Sequence, residues 1–142
     1  MSACRKKMLL IINIIVPLLI GLFIYVTKEG NTYISDVFSS VRSEFGIICY
    51  PLIIRCYACD FLWAYALFFS IRLSLGDSLK GKNNETVLIT AGVIAIALEL
   101  LQLNKRFPGS YDSMDIVVEL FAIFIAAVIT TIIDWRIKYE KE

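Results

Sequence analysis

Residues 8–27 are twenty successive positions without a charge. At about 1.5 Å per helical residue, such a run crosses the ~30 Å hydrocarbon core of a bilayer. Everything downstream has to be compatible with a chain that starts in a membrane. Arg5, Lys6 and Lys7 precede the run, as they would in a secretory signal. The run is too long for a signal h-region, however, and it leads into Tyr25-Val-Thr-Lys-Glu-Gly30 with no small-x-small cleavage site. An uncleaved first span is expected. Asn13, Pro17 and Gly21 follow at four-residue steps, a small or polar stripe expected to face other helices.

Three more spans are expected, at about 57–75, 86–103 and 116–133. The composition agrees: 58% of the chain is hydrophobic and the mean hydropathy is +0.74, against ~45–50% apolar residues in soluble domains. The expected fold is an all-α integral membrane protein in a single domain over residues 1–142. It has four transmembrane helices and an interfacial amphipathic helix between the first two. That interfacial helix is read from Ile34, Val37, Phe38, Val41 and Phe45, which recur at helical spacing. The next ten residues, 45–54, are apolar but too short to span and contain Pro51, so a re-entrant or interfacial segment is expected. Only eleven residues separate Asp60 from Arg72, so the second span must include a charge. Arg72 is expected to snorkel to a headgroup layer, with Trp63 or Tyr57 at the other interface.

The net charge of +1 leaves no footprint for nucleic acid. There is no histidine, which removes the commonest general base and the commonest metal ligand. Neither a cofactor nor a metal is expected. Of the four cysteines, Cys56 and Cys59 form a C-x-x-C, but no second pair spaces a zinc site. They are expected to pack at a membrane interface, with a disulfide as the other reading. The N-terminus, the loop after the second span with Arg72, and the C-terminus carry nine Lys and Arg; the two opposite connections carry five. The positive-inside rule therefore places both termini in the cytoplasm of a cell membrane.

Alternating spans put Asp60, Glu99, Asp115 and Glu119 in one membrane layer, whichever side is out. Glu99 and Gln102 share a helical face, as do Asp115 and Glu119, and Pro108-Gly109 turns the chain between them. A charge in hydrocarbon costs ~2.5–3.5 kcal/mol on insertion scales. Four crowded carboxylates cannot all ionise cheaply, because each feels the others and each loses water. The available counter-ions are Arg55, Lys105 and Arg106. In the bland reading these bases pair with the acids and set helix register. In the functional reading Glu99 and Asp115 share protons or pair with a cation, and Gln102 hydrogen-bonds across the corner between the third and fourth spans.

Glu99-Leu-Leu-Gln102, then Pro108-Gly109, then Asp112 and Asp115 resemble the second half of the VanZ-like membrane family. There E-x-x-Q ends one span, and P-G-R, an acidic turn and D-x-x-x-N-x-x-G lead into the next. Asp60-Phe-Leu-Trp-Ala-Tyr resembles that family's entry to an earlier span. The similarity covers most of residues 57 to 130. Phe61 and Ala64 replace the Lys and His of a frequent D-K-x-x-H, Ser110 replaces the Arg, and Glu119 and Ala122 replace the Asn and Gly. The chain thus resembles a divergent member. The resemblance implies a bacterial cell-envelope protein related to an accessory protein of glycopeptide resistance, lowering susceptibility to teicoplanin-type lipoglycopeptides.

Three function classes follow. In the first, a non-enzymatic protein uses an outer carboxylate layer of Asp60, Glu99, Gln102, Asp112, Asp115 and Glu119 to engage membrane lipids, a lipoglycopeptide or an envelope precursor. The alternative is a small intramembrane enzyme acting on a lipid headgroup, with Glu99 and Asp115 as its candidate catalytic acids or as holders of a divalent ion. A coupled transporter ranks last, because no internal repeat is visible.

Overall fold

The computed structural model describes residues 3–30, 36–75, 83–104 and 111–139. Within them the chain is helical: α1 Ala3–Thr27, α2 Ser39–Phe45, α3 Leu52–Leu75, α4 Asn83–Gln102 and α5 Ser113–Tyr139. No strand occurs among the described residues. Four of these helices are long and apolar enough to cross a membrane, and α3, with 24 residues, extends about 36 Å.

Each long helix overruns the apolar stretch that announces it. The largest difference lies at α3, which begins at Leu52 and absorbs Leu52, Ile53 and Ile54. The expected re-entrant segment is therefore not formed as such. Pro51 is the reason: its carbonyl accepts the first helical bond, from Arg55 N–H at 3.0 Å, and proline costs little at a helix start, where its missing N–H has no partner to lose. Residues 46–50 carry no regular structure, and Ile48 N–H reaches back to the Thr27 carbonyl at 2.9 Å. Thr27 is fully buried; its hydroxyl donates to the Phe23 carbonyl at 2.7 Å and lies 2.8 Å from the Tyr50 hydroxyl. The connection folds back onto α1 rather than trailing away from it.

The expected helix occupies that connection, with a turn at Phe38 between helical residues 36–37 and α2. Ile34 lies outside the described residues, while Val37 and Phe38 precede α2. Phe45 sets its ring edge-on to Phe23 at 5.4 Å. Gly46, at φ 74°, ends the helix by turning its N–H to the Arg42 carbonyl, a left-handed position that suits glycine.

α3 packs against α1, α4 and α5. The Asn13, Pro17, Gly21 stripe of α1 meets α3: the Tyr65 hydroxyl donates to Asn13 Oδ1 at 2.6 Å, and the Cys59 thiol faces the Gly21 carbonyl at 3.6 Å. All four cysteines are free, and Cys4, Cys49 and Cys56 are exposed. The core is built from small residues that let backbones approach: Ala91 and Ala95 of α4, Ala122 and Ala126 of α5, and Ala64 and Ala66 of α3, around Phe68 and Phe69. Large apolar side chains such as Leu19, Ile89 and Phe124 point outward, as expected of surfaces that face lipid.

Arg72 departs from expectation. It does not snorkel: it is buried, and its guanidinium donates to Asp134 Oδ2 of α5 at 3.3 Å. Lys6 of α1 reaches the other oxygen of Asp134 at 2.9 Å. A carboxylate across the bundle is a better partner for the guanidinium than a climb to the headgroups, because it satisfies the charge without stretching the side chain.

Candidate carboxylate site

The opposite end of the bundle gathers Asp60, Glu99, Asp115 and Glu119. Asp60 stands in the third turn of α3, Glu99 and Gln102 in the last turn of α4, and Asp115 and Glu119 in the first turns of α5. Asp60 lies within electrostatic reach of Asp115 and Glu99. Glu119 lies within reach of Glu99, Asp60 and Asp115. The layer expected from alternating spans is therefore assembled.

Burial divides it into two tiers. Asp60 and Asp115 are half-buried, whereas Glu99 is 4% and Glu119 1% exposed. Four residues of helix carry Glu119 about 6 Å deeper than Asp115. At that depth Trp63 is the partner: its indole N–H donates to Glu119 Oε1 at 3.1 Å. Trp63 thus donates to an acid of the neighbouring helix, a partnership not expected from its place near the start of α3. Glu99 Oε1 accepts from Gln102 Nε2 at 3.3 Å. That bond stays within α4, so Gln102 does not bridge the corner; the i, i+3 spacing that put both on one face also lets them satisfy each other. The second oxygen of each buried acid, Glu99 Oε2 and Glu119 Oε2, has no hydrogen-bond partner. Such an orphan is costly in a low-dielectric interior.

Asp112 does different work. Its side chain accepts from Met114 N–H at 2.9 Å, and its carbonyl accepts from Asp115 N–H at 3.1 Å. It caps α5, as an acidic residue before a helix commonly does. Its backbone also faces the Glu99 carboxylate across the corner.

Of the expected counter-ions, Arg55 is the one among the described residues, and it does not pair with the layer. Arg55 pairs with exposed Glu29 at 2.8 Å instead, because the earlier start of α3 carries it outward beside the α1 connection. Lys105, Arg106, Pro108, Gly109 and Ser110 lie outside the described residues. Among the described residues no basic side chain is ion-paired with Asp60, Glu99, Asp115 or Glu119. Lys28 lies within electrostatic range of Asp60, and Tyr57 within range of Asp112 and Asp115. Sequence reasoning singled out neither Lys28 nor the bond from Trp63 to Glu119. The i, i+3 step from Asp60 to Trp63 was the one available signal for the latter, since it puts the indole on the face of α3 that carries an acid.

Chemically, the arrangement offers carboxylate oxygens at two depths, an indole donor and an amide. It has the means to hold protons or organic cations. Among the described residues no three acids or cysteines are grouped to hold a metal ion. No protein-family model, curated protein or solved structure matches the chain.

Proposed function

We propose that this chain is a cell-envelope membrane protein of the VanZ-like kind, whose carboxylate layer engages cationic amphiphiles at one membrane surface and lowers susceptibility to teicoplanin-type lipoglycopeptides. One observation carries the binding part of this reading. Four acids share one end of the bundle without an ion-paired base among the described residues, and two of them keep a buried oxygen unpartnered. Acids retained only for packing would be expected to be paired. The half-buried pair, Asp60 and Asp115, forms the tier a cation reaches first, with Glu99 and Glu119 beneath it. The drug class comes from the resemblance over residues 57 to 130.

The test is susceptibility of cells producing the protein. Asp60→Asn, Asp115→Asn and Glu99→Gln are each expected to abolish protection against a teicoplanin-type compound at unchanged protein abundance. Equal protection by all three variants overturns the reading. A membrane-impermeant maleimide applied to intact cells locates the layer. Labelling at Cys49 or Cys56 but not at Cys4 puts the acids outside, where this function requires them. If the protein instead turns over an envelope lipid headgroup, the lipid profile of producing cells changes while susceptibility does not.

A further inference from the structure

Between α1 and α3, beside the carboxylate layer, runs a groove of ≈ 200 Å³ lined by Pro17, Gly21, Tyr25, Cys59, Leu62 and Trp63 among others. Its existence follows from the glycine. A β-carbon at Gly21 would sit 3.7 Å from Leu62 Cβ, so α1 and α3 approach closely there and the side chains above and below leave a channel. Apart from the thiol, the tyrosine hydroxyl and the indole N–H, nothing polar lines it, and the indole N–H is turned away to Glu119.

The mouth of this groove carries a positive charge. The Lys28 ammonium lies 4.3 Å from the centroid of the Tyr25 ring, and it is within electrostatic range of Cys59; both residues line the groove. Lys28 forms no ion pair among the described residues. It follows directly on the last residue of α1, at the level where a membrane span meets headgroups. An apolar slot topped by an ammonium that has no ion pair among the described residues is complementary to one class of molecule that surrounds every membrane helix.

We propose that the α1–α3 groove is a binding site for an anionic phospholipid, with one acyl chain along Gly21, Leu62 and Trp63 and the phosphate on Lys28. This site adjoins the carboxylate layer through Trp63 and Lys28 but does not depend on the function proposed for that layer. Trp63 is the only described side chain that both lines the groove and bonds an acid of the layer, so it reports on the lipid directly.

The experiment uses the full chain with Trp135→Phe, which leaves Trp63 as the sole tryptophan. It is reconstituted into phosphatidylcholine vesicles containing either dibrominated phosphatidylglycerol or dibrominated phosphatidylcholine. Bromines quench an indole they touch. The phosphatidylglycerol is expected to bind beside Trp63 about fivefold more strongly than the phosphatidylcholine, the scale of one lysine near an anionic surface. Lys28→Gln should erase that preference and Lys28→Arg should keep it. A Trp63→Phe protein, reporting from Trp135, should show no dependence on residue 28. Equal quenching by both lipids in the parent overturns the proposal. So does a preference that survives Lys28→Gln, or one that Lys28→Gln removes at Trp135 as well.

Discussion

The two ends of this bundle treat acidic residues in opposite ways. At one end Asp134 of α5 lies between Lys6 of α1 and Arg72 of α3, at 2.9 and 3.3 Å, and Asn84 of α4 donates to Thr131 of α5 at 3.3 Å. Every long helix is tied there. At the other end Glu99 and Glu119 lie deeper in protein than Asp134 does, yet among the described residues they meet neutral groups: the Gln102 amide, the Asp112 backbone and the Trp63 indole. Among the described residues, the same four helices therefore supply both an ion-paired end and an end whose acids meet no ion-paired base. The contrast argues that this difference is not forced by the fold, since the fold pairs an acid with bases at its other end.

That comparison can be broken by substitution. The largest effect is expected from Asp134→Ala, which strips the buried Arg72 guanidinium of its carboxylate. Stability in detergent should fall by about 3 kcal/mol, read from thermal unfolding. A loss no greater than that of a surface variant would mean the two ends are alike. Next is Trp63→Phe, which removes the donor to Glu119 and should cost about 1 kcal/mol, the scale of one hydrogen bond. Adding Glu119→Leu to Trp63→Phe should recover most of that loss, because donor and acceptor then leave together; a cycle of the two changes measures the coupling. A double variant as unstable as the single would refute the view that Glu119 is tolerated rather than stabilising. Asp112→Ala should cost about 1 kcal/mol through the lost cap while leaving protection intact, which separates the capping acid from the binding ones. The smallest effect belongs to Arg55→Gln, whose partner Glu29 is exposed; under about 0.5 kcal/mol is expected.

The spans themselves were legible because each carries enough apolar residues to be seen without neighbours. So was the layer of acids, because alternation alone sets depth: Asp60, Glu99, Asp115 and Glu119 needed no knowledge of packing to be placed together. What could not be read was partnership between helices. Hydropathy reports whether a residue is tolerated in lipid, not which helix it meets, so Arg72 read as a snorkelling side chain and Trp63 as an interfacial anchor. Both partnerships were missed for one cause, since the partner, Asp134 or Glu119, lies on a helix more than fifty residues away. Pro51 misled differently. Proline inside an apolar run reads as a break, yet the same residue opens a helix without cost, and only the Arg55 N–H bonded to its carbonyl distinguishes the two.

The ion triad also bears on the order in which the protein is made. Helices α1 and α3 have what they need to dock as soon as residue 75 has emerged: Tyr65 finds Asn13, Tyr50 finds Thr27, and Cys59 finds Gly21. Asp134 is still 62 residues short of existing when Arg72 is synthesised. A ribosome adding residues one at a time thus delivers a docked hairpin before the Asp134 carboxylate that Arg72 meets has been made. The cross-bundle ion pair therefore closes last, and the final helix completes the charge balance that the first hairpin begins.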